Sequence, residues 1–242
     1  NDSSLTINSD ISTGTLTLDS DDTININADI TSQNGIDISA DNGIEQVVDS
    51  TITNTNNDIV ISSDTGNMNL NGSVANTNGG VDISINSTTS DGSISINNVS
   101  SAQDMSVLNN SNGLITLNGT VDVDGNTQIN SLNTGANSGV VINSDINNKS
   151  DYTVISKGQK GIEINGNIDN SITDGTNISV ENANGGIVVN SSSINNGQAS
   201  NSNNSITFVN NGSDGLKITS DITNFGNLSI TILPVSGIFE NS

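Results

Sequence analysis

Apolar residues recur along this chain in pairs two positions apart, separated by polar bends, and the pairs return in a fixed order. The first pair of each unit is Leu16/Leu18, Ile36/Ile38, Ile59/Ile61, Val81/Ile83, Met105/Val107, Thr127/Ile129, Tyr152/Val154, Ile178/Val180, Ile206/Phe208 and Leu228/Ile230. From Leu16 to Leu228 there are nine steps averaging just under 24 residues. A spacing of two places both side chains on one face of a β-strand, so each pair predicts a short strand with one buried face.

A second set follows in each unit: Ile24/Ile26, Ile44, Met68/Leu70, Ile94/Ile96, Ile115/Leu117, Val140/Ile142, Ile162/Ile164, Ile187/Val189 and Leu216/Ile218. A third apolar position comes soon after, at Ile30, Val74, Val99, Val121, Ile146, Ile168, Ile194 and Ile222. The second unit departs from this rule with Val47, Val48 and Ile52 after Ile44, which predicts a bulged third side. Glycines such as Gly43, Gly66, Gly92, Gly113 and Gly161 precede the second set, and Asn71-Gly72, Asn118-Gly119 and Asn165-Gly166 lie between second and third. Gly and Asn suit these bends because both tolerate positive φ.

Taken singly, an Asn-Gly between apolar runs predicts an antiparallel hairpin. One template repeated ten times in one order predicts a solenoid instead, because no unit buries its apolar stripe alone and stacking on its neighbours completes the core. The expected fold is all-β, a right-handed parallel β-helix of about ten coils with triangular cross-section, filling residues 1–242 as one domain. Length variation falls in loops such as Ser191 to Ser205, and stacked turn asparagines are expected to form amide ladders.

Composition narrows the chemistry. With aromatics at 2% and no Trp, the core must be aliphatic. The formal charge of -22, with Lys149, Lys157, Lys160 and Lys217 as the only basic side chains, excludes nucleic acid and anionic membrane surfaces as partners. No apolar run is long enough to insert directly into a bilayer. Glycoside hydrolysis needs two converging carboxylates, and lyase chemistry needs a strong base beside a metal. With no Arg, His or Cys in the chain, an enzyme is not expected, and no residue is assigned a catalytic, cofactor-binding or metal-binding role.

Cofactors are not expected either; if calcium collects anywhere, it is in acidic loops such as Asp19 with Asp21 and Asp22, or Asp122 with Asp124. The string Asp122-Val123-Asp124-Gly125-Asn126 lacks the full calcium-loop spacing. Lys157 and Lys160 share the Ser156 to Gly161 loop, which reads as a solvated loop, with a small spot for an anionic sugar as the alternative. Asn-x-Ser/Thr sequons at Asn71, Asn86, Asn118, Asn177 and Asn211 follow from composition. Ice binding needs a regular Thr ladder, and the threonines here are scattered. Leu233-Pro234-Val235-Ser236-Gly237 resembles a sortase signal but is not followed by an apolar span and basic tail. The chain starts at Asn1 with no Met and no basic leader, so it reads as a fragment or processed segment. Lack of cysteine fits a bacterial surface protein better than a eukaryotic secreted domain.

The string Gly113-Leu114-Ile115-Thr116-Leu117-Asn118-Gly119-Thr120-Val121 is echoed from Gly161 to Ile168 and from Asp214 to Ile222. These strings resemble the repeats of large bacterial exoproteins, of the filamentous-haemagglutinin-like adhesin kind exported by two-partner secretion, or of autotransporter passengers. The resemblance implies an extracellular stalk or fibre that passes through an outer-membrane β-barrel and holds a bacterium to a host cell or another bacterium. The Asn-Pro-Asn-type motif of that family's secretion module is missing, since Pro234 is the only proline. The expected function is a rigid structural and adhesive segment whose partner is a surface receptor or glycan. The alternative is a surface-layer or filament subunit that associates end to end, and a phage tail fibre or carbohydrate-binding β-helix comes third.

Overall fold

Strands with one apolar face need a second surface to bury it against, and here the strand stacks wound by the same chain turn their apolar faces into one shared interior, while successive coils pair edge to edge. The structure is a computed structural model that describes residues 3–170, 176–197 and 203–233, with the backbone of 239–241. Residues 198–202 of the Ser191 to Ser205 loop, and Pro234 to Gly237 of the sortase-like string, lie outside the described residues.

The first pairs form a ten-stranded parallel sheet from Leu16–Ser20 to Asn227–Ile232. In it Leu16, Ile36, Ile59, Val81, Met105, Thr127, Tyr152, Ile178, Ile206 and Leu228 occupy one register column. The second set makes another parallel column: Ile24, Ile44, Met68, Ile94, Ile115, Val140, Ile162, Ile187 and Leu216. The third positions make the last, from Ile30 through Val74, Val99, Val121, Ile146, Ile168 and Ile194 to Ile222. Three stacks wound by one chain are a parallel β-solenoid of about nine turns, close to the ten coils expected, with a part turn at either end. The Asn-Gly steps are therefore corners between stacks and not hairpins.

The interior is a column of Ile, Val, Leu and Met with Tyr152 and Phe208, nearly all of them wholly buried. Burying each such side chain contributes about 1.5–3 kcal/mol, set against the backbone entropy of holding every turn in place.

Two polar columns also point inward at the corners, which the apolar pattern did not foretell. One comprises Ser63, Asn109, Ser131, Ser156, Asn182 and Asn210, interrupted by Ile85; the other comprises Ser32, Asn54, Asn76, Ser101, Asn148, Asn170 and Asn196, interrupted by Val123, and all of these are buried. Their amides bond along the axis: Asn170 Nδ2 donates to Asn196 Oδ1 at 3.0 Å, and Asn182 Nδ2 to Asn210 Oδ1 at 2.8 Å. Others close the corner itself, as where Asn76 Nδ2 donates to Gly80 O at 2.9 Å. The expected exposed ladder exists too, with Asn143 donating to Asn118 at 3.1 Å, Asn165 to Asn143 at 2.9 Å and Asn190 to Asn165 at 3.2 Å.

The bend glycines serve space as well as torsion. Gly43 and Gly66 do adopt positive φ, at 113° and 74°. Gly92 does not, yet a Cβ there would lie 2.0 Å from the carbonyl oxygen of Gly66 in the coil before. Close axial approach of successive corners, rather than a left-handed backbone, is what requires glycine at Gly92.

The second coil is corrected in detail. Its bulge sits at the corner and leaves the third strand regular: Ile52 keeps register between Ile30 and Val74, while Val47 and Val48 face solvent at 41% and 67% exposure. The core position that Ile26 and Leu70 hold in the flanking coils is taken by Gln46, whose Nε2 donates to Ser50 O at 3.0 Å and Ser73 O at 3.3 Å. A buried amide thus ties down the extra residues. Ahead of the first unit, Leu5–Ile7 and Ile11–Thr13 extend the second and third stacks by one level. Sequence reading missed this level because it has no first pair.

Tyr152 is the one wholly buried phenol, and among the described residues its hydroxyl has no hydrogen-bond partner. Burial pushes its pKa up, as expected for a group that cannot ionise in an apolar interior. An orphaned buried hydroxyl costs about 1–3 kcal/mol, and phenylalanine removes it without changing the ring. Tyr152→Phe is therefore expected to raise the melting midpoint by about 2–4 °C per kcal/mol gained. Thermal denaturation followed by far-UV circular dichroism checks this, and a lower midpoint would mean that the hydroxyl has a partner.

Candidate functional site

Parallel stacking puts residues from successive coils side by side, so side chains some 22 to 28 positions apart become neighbours. Most acidic and Asn residues at the corners are used in building the solenoid. The backbone N–H of Gly80 donates to Asp58 Oδ1 at 2.9 Å, that of Asn126 to Asp104 Oδ1 at 2.7 Å, and that of Asn177 to Asp151 Oδ1 at 2.8 Å. The entry to the third stack repeats the device. There Thr51 N–H donates to Asp29 at 2.8 Å, Thr120 to Asn98 at 3.0 Å, and Asn167 to Asp145 at 2.9 Å. Each such side chain reaches one coil along the axis and satisfies an N–H that the turn leaves free.

Two surface grooves stand out among the described residues. The first is an acidic groove of about 290 Å³ on the outer face of the first stack, lined by Asp58, Asp82, Asp104, Gln103, Asn126 and Gln128 among others. Asp82 points outward between Val60 and Ser106 of the adjoining strands. Its pKa is raised from 3.8, first by partial burial and then by the like charges of Asp58 and Asp104. These three carboxylates form no local motif. Aligning the repeats would have found them, since Asp58 and Asp104 immediately precede the first inward residue of their coils and Asp82 immediately follows one.

The second feature is an open groove of about 660 Å³ along the corner loops between first and second stacks, lined by Thr134, Gln159, Asn184, Ser213 and Asp214. Lys157 and Lys160 flank Gln159 and are exposed. The sequence singled out this lysine loop, and stacking adds the loops on either side of it.

The carboxylates proposed for calcium are not gathered into cages. Asp122 accepts a 2.7 Å hydrogen bond from Asn147, Asp124 pairs with Lys149, and Asp22 accepts from Asn42 at 3.1 Å. Among the described residues no group of three or more His, Cys, Asp or Glu side chains is placed to hold a metal ion.

With the geometry in place, comparison with protein-family models, curated proteins and solved structures finds no match for this chain.

The sign of the Asp82 effect follows from linkage. A carboxyl whose folded pKa lies above its unfolded value favours the folded state below pH 3.8, and that advantage is lost as pH rises through the folded pKa. At neutral pH the charged Asp82 is therefore a destabilising presence, moderated by solvent because the side chain is only partly buried. Asp82→Asn is expected to raise the melting midpoint slightly at pH 7 and to leave it unchanged at pH 3. Midpoints of both proteins across that range check the claim; an equal gain at both pH values would assign the effect to something other than charge.

Proposed function

We propose that this chain is a non-catalytic structural and adhesive segment of a secreted bacterial cell-surface protein, a stiff rod that presents polar loops to a receptor or glycan on another cell. The observation that carries this reading is the unbroken register of all three strand columns over about nine turns. Such a body has its backbone hydrogen bonds running along its length, so bending or stretching it must strain many bonds at once. At about 4.8 Å per coil its length is about 45 Å. The supporting chemistry is the polar outer surface, the absence of Arg, His and Cys from the sequence, and the resemblance of the repeats to large exoproteins.

A self-assembling filament subunit is the second reading, favoured by one observation. The last described coil exposes Leu228 at 51% and Ile230 at 37%, while Ile206 and Phe208, their register partners one coil earlier, are buried. That apolar face is shaped for a further coil of the same template, from the same polypeptide or from another copy.

Beads coated with the purified chain are expected to adhere to epithelial monolayers or bacterial lawns, while beads coated with heat-denatured chain do not. Light scattering on the same preparation is expected to give a monomer. Filaments in solution would replace the stalk with the assembly subunit, and loss of adhesion on every surface tried would remove the adhesive role.

A further inference from the structure

We infer that the open corner groove between the first and second stacks is a binding site for a linear acidic glycan, one whose sugar units carry carboxylates. The inference rests on the adhesive reading for its biological use alone, because binding itself can be measured without cells.

The groove is built from four successive corners. Thr134, Gln159, Asn184 and the Ser213-Asp214 step each come from a different coil, so they follow one another along the axis. The loops are held to each other by their backbones. Gln159 N–H donates to Gly135 O at 3.1 Å, Ala183 N–H to Ser156 O at 2.9 Å, and Asn211 N–H to Asn182 O at 2.9 Å. Glycines form the turns beneath the polar side chains: a Cβ on Gly158 would lie 2.0 Å from Ser138 O, and one on Gly212 would lie 1.9 Å from Gly185 O. The lining side chains thus stand on a tightly stacked floor that is part of the solenoid.

Three properties select the ligand. The volume, about 660 Å³, falls within the range of small-molecule sites, but the lining is amide, hydroxyl and carboxylate with no aromatic ring. Such a surface suits a hydrophilic chain and not an apolar compound. Its polar groups recur once per coil, about every 4.8 Å, and a pyranose in a linear polysaccharide advances by a similar step. One sugar per coil can therefore meet the same kind of amide or hydroxyl repeatedly.

The charge is the third property. In a chain of net -22, the loop from Ser156 to Gly161 carries Lys157 and Lys160 and no acid. Lys149 is paired with Asp124, and Lys217 lies outside this groove on the Leu216–Ile218 strand. Asn184 Nδ2 donates to Lys157 O, which fixes the lysine loop against the next corner. Both lysines are exposed on the loop that supplies Gln159, beside the lining and not part of it, and a sugar carboxylate bound over Gln159 is the anion they would attract. Asp214, bonded by the Ser213 hydroxyl at 2.9 Å, makes the far end negative and gives the site a polarity along the axis.

The probes are tetragalacturonate and, as a neutral control, maltotetraose, titrated calorimetrically into the whole chain at low salt. Tetragalacturonate is expected to bind, with affinity falling as salt rises, and maltotetraose is expected to bind at least about tenfold more weakly, a difference of roughly 1.4 kcal/mol. The Lys157→Gln/Lys160→Gln double variant and Gln159→Ala alter exposed loop side chains, so their melting midpoints should match the parent, while each weakens tetragalacturonate binding. The inference is overturned if tetragalacturonate does not bind, if the double variant binds it equally well, or if maltotetraose binds as tightly. Bead adhesion that survives in the double variant would leave the stalk reading standing and remove this groove from it.

Discussion

The structure depends on one constraint, that each coil must lie in register on the next, so that inward positions stack on inward positions. Parallel strands about 4.8 Å apart put every inward side chain directly over its counterpart, so a column rather than a single residue is the unit that packs. Ile, Val and Leu satisfy this repeatedly because their shapes nest in a β-strand and carry no polar atom that the interior must satisfy. Polar side chains enter the column only where they can bond along it or close a corner, as the inward asparagines do. The same axial logic governs the surface. Corner Asp and Asn side chains reach to the following coil, and much of the acidic character of the chain is thereby explained as construction.

This arrangement also accounts for how a chain so poor in aromatic residues and so rich in Asn, Ser, Thr, Asp and Gly can fold. Such compositions usually bury too little apolar surface to overcome chain entropy. Here the aliphatic residues of the three columns are placed inside, and polar residues take most of the corners and outer faces where backbone and water satisfy them. The exceptions are informative. Gln46 replaces an aliphatic residue in the core and uses its amide to hold a corner carrying extra residues, and Val47 and Val48 are released to solvent as a result.

Much of the fold was legible in the sequence. The three columns from Leu16 to Leu228, from Ile24 to Leu216 and from Ile30 to Ile222 follow from spacing alone, because a period of two and a repeat near 24 leave only one economical way to bury those residues. What was not legible has physical causes. The inward asparagines carry no apolar signal, so Asn170 and Asn196 read as turn residues until register shows them one above the other. The Leu5–Ile7 strand was lost because its turn is incomplete. Neither surface groove could be read locally. Asp58, Asp82 and Asp104, and equally Thr134, Gln159, Asn184 and Ser213, meet only after coils are laid in register, and only Lys157 and Lys160 were close enough in sequence to be noticed together. The proposed adhesive role rests on shape, surface chemistry and a resemblance of repeats.

The register itself is open to direct measurement, because the chain has no cysteine of its own. Thr153 and Ser179 are outward-facing partners on adjoining coils. Cysteines at those two positions would have Cα atoms about 4.8 Å apart, within reach of a disulfide. Glu181, two residues further along the second strand, would lie about 8 Å from Thr153 and out of reach. Under mild oxidation the Thr153→Cys/Ser179→Cys protein should form an intramolecular disulfide rapidly, seen by mass spectrometry, and Thr153→Cys/Glu181→Cys should not. Failure of the first pair to close, or equal closure of both, would contradict the in-register stacking on which every other part of the account is built.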